Sequence, residues 1–177
     1  MLNIRKESDF RRGFTLAEGM IAVLVLTVAV GAIMGPISAS FQQTRTVQQT
    51  TTAITMAQQL LDEILSKPFI DPSDQTTTLG PEADEGGRAQ FDNIDDYHGY
   101  HDTTNANASD TMKTVSGSTL AWNTSDIYSR AVTMEYRNTL DGAAVASGDY
   151  LVVTVTVTMP HNNKVIVQRM ASRFTRG

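Results

Sequence analysis

A stretch of 26 residues without a charged side chain, residues 19–44, constrains this 177-residue chain more than any other feature. The apolar part of this region runs from Phe14 to Ile37, which is 24 residues. At about 1.5 Å per residue, a helix of that length crosses a hydrocarbon layer about 30 Å thick. A core helix of a soluble domain is a poor alternative, because so much apolar surface needs a larger domain around it. The sequence therefore predicts a membrane-spanning helix over residues 14–37.

The charges on either side of this helix predict its orientation. Residues 1–12 carry a net charge of +2, and Arg45 is the first charged residue that follows the uncharged stretch. By the positive-inside rule, the N-terminus stays in the cytoplasm and the rest is exported. A cleaved secretory signal does not fit, because the apolar region is too long and Glu18 interrupts its start. A plain anchor does not explain Glu18, since a carboxylate at mid-bilayer costs up to about 2.5–3.5 kcal/mol.

The residues that lead up to Glu18 form a specific motif. Gly13-Phe14-Thr15-Leu16-Ala17-Glu18 stands between a short basic leader and the uncharged stretch. This arrangement resembles the class III signal of type IV prepilins and of type II secretion pseudopilins. The resemblance implies that residues 1–13 are a cytoplasmic leader peptide, which a prepilin peptidase removes by cutting between Gly13 and Phe14. It also implies that the same enzyme N-methylates the new amino group of Phe14.

The resemblance gives Glu18 a role in assembly. In family terms, this glutamate meets the N-terminal amine of a neighbouring subunit. The physics agrees, because a carboxylate buried in a helical bundle needs a partner and that amine is the available cation. The implied partners are the prepilin peptidase, other pilin or pseudopilin subunits, the inner-membrane assembly platform and the membrane itself.

The helical pattern continues beyond the membrane segment into the rest of the chain. Pro36, which follows Gly35, removes a backbone donor and predicts a kink. Residues 38–67 predict an amphipathic helix that continues into a globular head, residues 68–177. Apolar residues there follow one another at helical intervals, at Val47, Ile54, Ala57, Leu61 and Ile64. Pro68 is expected to end this helix.

The C-terminal part changes to an alternation of period two. Val153, Val155 and Val157 alternate with threonines, which predicts a half-buried strand. Together with a strand on either side, it predicts an antiparallel sheet of three or more strands over residues 130–174. The apolar face of this sheet needs a cover, and the amphipathic helix supplies one. The fold class is therefore α+β, a long N-terminal helix packed on a C-terminal antiparallel sheet, as the type IV pilin-like resemblance implies.

The middle of the chain, residues 70–102, is an acidic loop with nine acidic residues and one basic residue. One hypothesis is that part of it binds calcium, which prefers carboxylate and carbonyl oxygens, although the spacing is not that of an EF-hand. The other interpretation is an acidic surface loop whose apolar residues pack into the domain. The candidate ligands are Asp92, Asn93, Asp95 and Asp96, and the candidate anchors are Phe91, Ile94 and Tyr97. A zinc site at His98, His101 and Asp102 is a further hypothesis.

A second, narrower resemblance rests on this middle region. A Phe-Asp-x-x-Asp-Asp-Tyr segment that begins at Phe91 follows a helix end that reads Leu-Leu-Asp-Glu-Ile-Leu over residues 60–65. This combination looks like the minor pilins of the mannose-sensitive haemagglutinin (MSHA) pilus. Secretion pseudopilins of the I and J type and PilV-type minor pilins remain close alternatives.

Several function classes are disfavoured by composition. The absence of cysteine excludes disulfides, thiolate metal sites and cysteine nucleophiles. Fourteen basic against nineteen acidic residues argue against nucleic acid as a partner. No Gly-x-Ser-x-Gly elbow and no phosphate-binding glycine loop is present, so we expect no enzyme and, calcium aside, no cofactor.

These observations favour a structural function. The chain is expected to be a minor pilin or pseudopilin, held first in the bacterial inner membrane with its head in the periplasm and then assembled into a type IV pilus-like filament. The choice between a pilus and a type II secretion system stays open. An alternative of another class is a membrane-anchored periplasmic binding or sensor domain, with the acidic loop as its ligand site.

Overall fold

The computed structural model describes residues 14–71, 78–114, 117–119 and 126–173. Two compact units make up the chain, Met1–Arg45 and Thr46–Gly177. The elements in chain order are helix α1 (Leu16–Leu65), a 3₁₀ helix (Asp95–Tyr97), strands β1 (His101–Thr103), β2 (Ser129–Arg137) and β3 (Tyr150–Thr158), a second 3₁₀ helix (Pro160–Asn162), and strand β4 (Lys164–Ser172). The predicted leader peptide lies outside the described residues.

The first unit contains the N-terminal part of α1, and its side chains are exposed along its whole described length. Its large apolar side chains, from Phe14 to Phe41, are 44–84% exposed. An 18-residue window of the helix has a mean hydropathy of 2.4, and none of that window is buried. The helix is therefore long and apolar enough to cross a membrane.

Helix α1 continues without interruption through Gly35 and Pro36. Because proline has no N–H, the carbonyl of Ala32 lacks its usual helical donor at this turn. The kink that the sequence predicts here remains a prediction.

The second unit contains a four-stranded sheet with the strand order β1-β2-β3-β4, in which every neighbouring pair is antiparallel. Strand β2 pairs with β3 from Ser129↔Thr158 to Arg137↔Tyr150. The predicted antiparallel sheet is confirmed. The sequence does not predict strand β1, because its three residues are too few to show an alternation.

One face of this sheet and the last three turns of α1 form the core. Val153, Val155 and Val157 are each fully buried, and they face the side of the unit that the helix covers. The helix contributes six buried residues, Ala53, Met56, Ala57, Leu60, Leu61 and Ile64. Burial of one large aliphatic side chain stabilises a fold by about 1.5–3 kcal/mol. The prediction of a helix packed on a sheet, an α+β fold, is confirmed.

The acidic segment also contributes to the core. Phe91, Ile94 and Tyr97 are 5%, 3% and 0% exposed and belong to the same apolar cluster as the helix and the sheet. The rings of Phe91 and Tyr97 pack edge to face with their centroids 4.9 Å apart, a favourable aromatic geometry. The interpretation that these anchors pack into the domain is confirmed.

Candidate functional site

The N-terminus of α1 is organised around Glu18. The Oε2 atom of Glu18 accepts hydrogen bonds from the backbone N–H and the hydroxyl of Thr15, each at 3.0 Å. In return, the N–H of Glu18 donates to the Oγ1 atom of Thr15 at 3.3 Å. These reciprocal bonds form a capping box, which satisfies donors that the first turn of a helix leaves open. The Thr-x-x-Glu spacing is the signal that could have predicted this motif.

The capping box gives Glu18 a local role besides the one implied in assembly. A negative charge at a helix N-terminus also interacts favourably with the helix dipole. Because a glutamine at the same position can complete a capping box, the local role does not require the charge. The pairing role that the resemblance implies does require the charge, and experiment can therefore separate the two roles. Of the two predicted processing residues, Phe14 is 84% exposed, and Gly13 lies outside the described residues.

The four predicted calcium ligands have different surroundings in the structure. The Oδ2 atom of Asp96 accepts the backbone N–H groups of Asp92 and Asn93 at 2.8 and 2.9 Å. The Oδ1 atom of Asn93 accepts the N–H of Asp96 at 3.1 Å. The carboxyl group of Asp95 bonds to the hydroxyl of Tyr136. The side chains of Asn93 and Asp96 therefore stabilise the backbone of the segment itself, and the side chain of Asp95 contacts the sheet.

Burial changes the acidity of these groups. It raises the pKa of the Asp95 carboxyl to about 7, and the charges of Asp96 and Glu82 add to that shift. Burial also raises the pKa of Tyr136, with a further contribution from Asp95. The pKa of Asp92 is raised, first by burial and then by Asp71 and Asp96. The segment is thus an unfavourable environment for negative charge.

Asp96 belongs to a group of three acidic residues that we call the carboxylate cluster, Glu82, Glu85 and Asp96. One carboxylate oxygen of each lies within 4.8 Å of the others. Burial raises the pKa of Glu85 to about 7, with Glu82 and Asp96 as further causes, and burial also raises the pKa of Glu82. In the part of the chain that the structure describes, this is the one group of three or more acidic or histidine side chains with such spacing.

Loop geometry holds the cluster together. The N–H of Gly80 donates to the carbonyl of Asp95 at 3.1 Å. The backbone of Gly80 has a φ of +112°, a conformation that favours glycine. The Oε1 atom of Glu85 accepts the N–H of Asp92 at 3.2 Å, and its Oε2 atom accepts the N–H of Glu82 at 3.3 Å. Sequence analysis missed Glu82 and Glu85, because no periodicity indicates which part of an irregular loop returns to Asp96.

The zinc hypothesis is not supported. The Nδ1 atom of His98 accepts the backbone N–H of Met134 at 3.0 Å, and His101 lies 3.8 Å from Asp110. Asp102 is instead the partner of Arg130 on β2, whose Nε atom donates to its Oδ1 atom at 2.8 Å.

Buried ion pairs connect the helix, the loop and the sheet. Arg130 and Asp102 are only 4% and 3% exposed, and a second nitrogen of Arg130, Nη2, bonds to the Oδ2 atom of Asp102. On α1, Glu63 pairs with Arg88 and accepts the Tyr97 hydroxyl at 2.7 Å. Burial acts to raise the pKa of Glu63, but these two hydrogen bonds and the charges of Arg88 and Arg130 together outweigh it, and the pKa lies below its ordinary value. These contacts are structural, since each charged group is occupied by another.

Comparison with protein-family models, with curated proteins and with solved structures finds no match to this chain. The residues and the geometry of the two candidate regions are therefore what indicates the function of this chain.

Proposed function

We propose that this chain is a minor pilin or pseudopilin, a structural subunit of a type IV pilus-like filament. The observation that carries the proposal is the first half of α1, an uncharged apolar helix, exposed throughout, with one carboxylate at its start. Such a surface needs a cover of lipid or of similar helices, because exposed apolar area of this extent is unfavourable in water. In a subunit that passes from a membrane into a helical filament, lipid covers this surface first and the helices of neighbouring subunits cover it afterwards.

The leader motif supports the rest of this proposal. A prepilin peptidase cuts between Gly13 and Phe14 and methylates the new amino group. Before assembly, the helix spans the bacterial inner membrane with its N-terminus in the cytoplasm and its head in the periplasm. Glu18 then pairs with the N-terminal amine of the next subunit and sets the register between helices. The assembly platform and sibling subunits are the partners, and an MSHA-type pilus and a type II secretion system are the two candidate settings.

Fractionation of cells tests this proposal. In cells with an active prepilin peptidase and the assembly machinery, we expect the chain in the filament fraction that mechanical shearing releases. In otherwise identical cells without the peptidase, we expect all of it in the inner membrane, because the uncut leader keeps a charged segment in front of Phe14. If all of the chain stays in the membrane fraction in both strains, the result would favour the periplasmic binding or sensor domain instead.

A further inference from the structure

The carboxylate cluster has the dimensions of a divalent-cation site. Its three oxygens lie within 4.8 Å of one another. Two oxygens that each bind a calcium ion at about 2.4 Å are at most about 4.8 Å apart. Glu82, Glu85 and Asp96 could therefore share one ion with little movement of the loop.

Asp96 provides an independent observation that points to a ligand. Its side chain is 0% exposed, and its Oδ2 atom is occupied by two backbone N–H groups. Its other oxygen, Oδ1, is buried and has no hydrogen-bond donor among the described residues. The carboxylates of Glu82 and Glu85 lie within hydrogen-bonding reach of Asp96, and when all three groups are ionised none of them can donate to another. A cation is the kind of group that satisfies all three.

The charges around the cluster lead to the same conclusion. Within the described ranges, none of the salt bridges involves Glu82, Glu85 or Asp96. Three neighbouring carboxylates repel one another at neutral pH, and burial adds to the cost of their charges. A bound divalent cation would offset the repulsion between the carboxylates and replace the contacts with water that they lose on burial.

We propose that Glu82, Glu85 and Asp96 form a calcium-binding site in the head. The donors are all carboxylate oxygens, which suit a hard cation and not the metals that prefer nitrogen or sulfur. Calcium accepts an irregular set of six to eight oxygens, so water and backbone carbonyls complete the shell, whereas magnesium demands a near-octahedral arrangement. The ion would fasten the turn around Glu82 and Glu85 to the 3₁₀ helix Asp95–Tyr97. Because the site lies within one subunit, it does not depend on filament assembly.

Calorimetric titration of the full-length chain in detergent micelles tests the site. After treatment with EGTA, the protein is titrated with CaCl₂ up to about 5 mM, beyond the ~10⁻⁴–10⁻³ M dissociation constants of weak extracellular sites. We expect one calcium ion per chain and a higher unfolding temperature in calcium than in EGTA. Glu85→Gln should weaken binding by about tenfold or more, because it removes one of three ligand charges. Glu82→Gln is a second variant with the same expectation.

Asp84→Asn is the matched control, since Asp84 is an exposed carboxylate between the two glutamates and lies outside the cluster. It should bind calcium as the wild type does. Near-ultraviolet circular dichroism in EGTA checks that each variant is folded. The proposal is overturned if the wild type binds no calcium in this range, if Asp84→Asn loses as much affinity as both glutamate variants, or if magnesium binds equally well.

Discussion

Glu18→Gln is expected to abolish incorporation of the chain into filaments while leaving it inserted in the membrane. The glutamine can keep the capping box with Thr15 but has no charge to pair with a neighbouring terminal amine. Loss of one partner from a buried ion pair costs about 3–5 kcal/mol, and each 1.4 kcal/mol is a factor of ten. The amount of chain in the sheared filament fraction should therefore fall by about a hundredfold or more. Quantitative immunoblotting of the sheared and membrane fractions measures this loss.

Two further variants separate the charge of Glu18 from its capping role. Glu18→Ala removes both, and it should be no better than Glu18→Gln at assembly. Asp62→Asn makes the same change from acid to amide at an exposed position in the second half of α1, and it should assemble normally. If Glu18→Gln assembles like the wild type and Glu18→Ala does not, the capping box is the essential function of Glu18 and the pairing mechanism is wrong.

Arg130→Met is expected to destabilise the head by about 3–5 kcal/mol, because it leaves the carboxylate of Asp102 buried without its main partner. The remaining contacts of that carboxylate are the Tyr100 hydroxyl at 2.8 Å and Arg88 at 3.9 Å. Arg130 also donates to the carbonyl of Met56 on α1 at 3.5 Å, so its loss weakens the contact between helix and sheet. Urea unfolding of the full-length chain in detergent, followed by near-ultraviolet circular dichroism, measures the change.

The exposed pair of Glu135 and Arg137 on β2 provides the control. Their charged atoms are 3.4 Å apart, and the side chain of Glu135 is 56% exposed. Glu135→Gln should change the free energy of unfolding by less than about 1 kcal/mol, because solvent screens such a pair. The double variant Arg130→Met with Asp102→Leu should be more stable than Arg130→Met alone, since it leaves no unpaired charge. Equal small effects of Arg130→Met and Glu135→Gln would contradict the role of the buried pair.

The parts of the fold that sequence predicts are those with a sustained period. The amphipathic half of α1 repeats over at least two turns, and the alternation of valines and threonines in β3 repeats over several residue pairs. Both elements are therefore predictable from the sequence. Strand β1 could not, because it has three residues and is defined only by its pairing with β2, where Asp102 lies opposite Arg130. That register, across 28 residues of chain, is also what creates the buried ion pair.

The candidate sites are likewise predictable only where their residues follow a local spacing. The capping box of Thr15 and Glu18 depends on residues three apart in one helix, so its spacing is visible in the sequence. The carboxylate cluster depends on an irregular loop that brings Glu82 and Glu85 to Asp96, more than ten residues away, and no local pattern encodes such a path. Of the four candidate calcium ligands in residues 91–100, Asp96 alone belongs to the carboxylate cluster, and calcium binding stays a prediction.

The N-terminal mass of the chain isolated from its native membrane tests the central claim most directly. A prepilin substrate should give a mature chain that begins with N-methylated Phe14, with residues 1–13 removed, and this is the result we predict. An intact chain that begins at Met1, in cells whose prepilin peptidase is active on other substrates, would contradict it. The protein would then be an ordinary membrane-anchored domain, and Glu18 would serve only as part of its capping box.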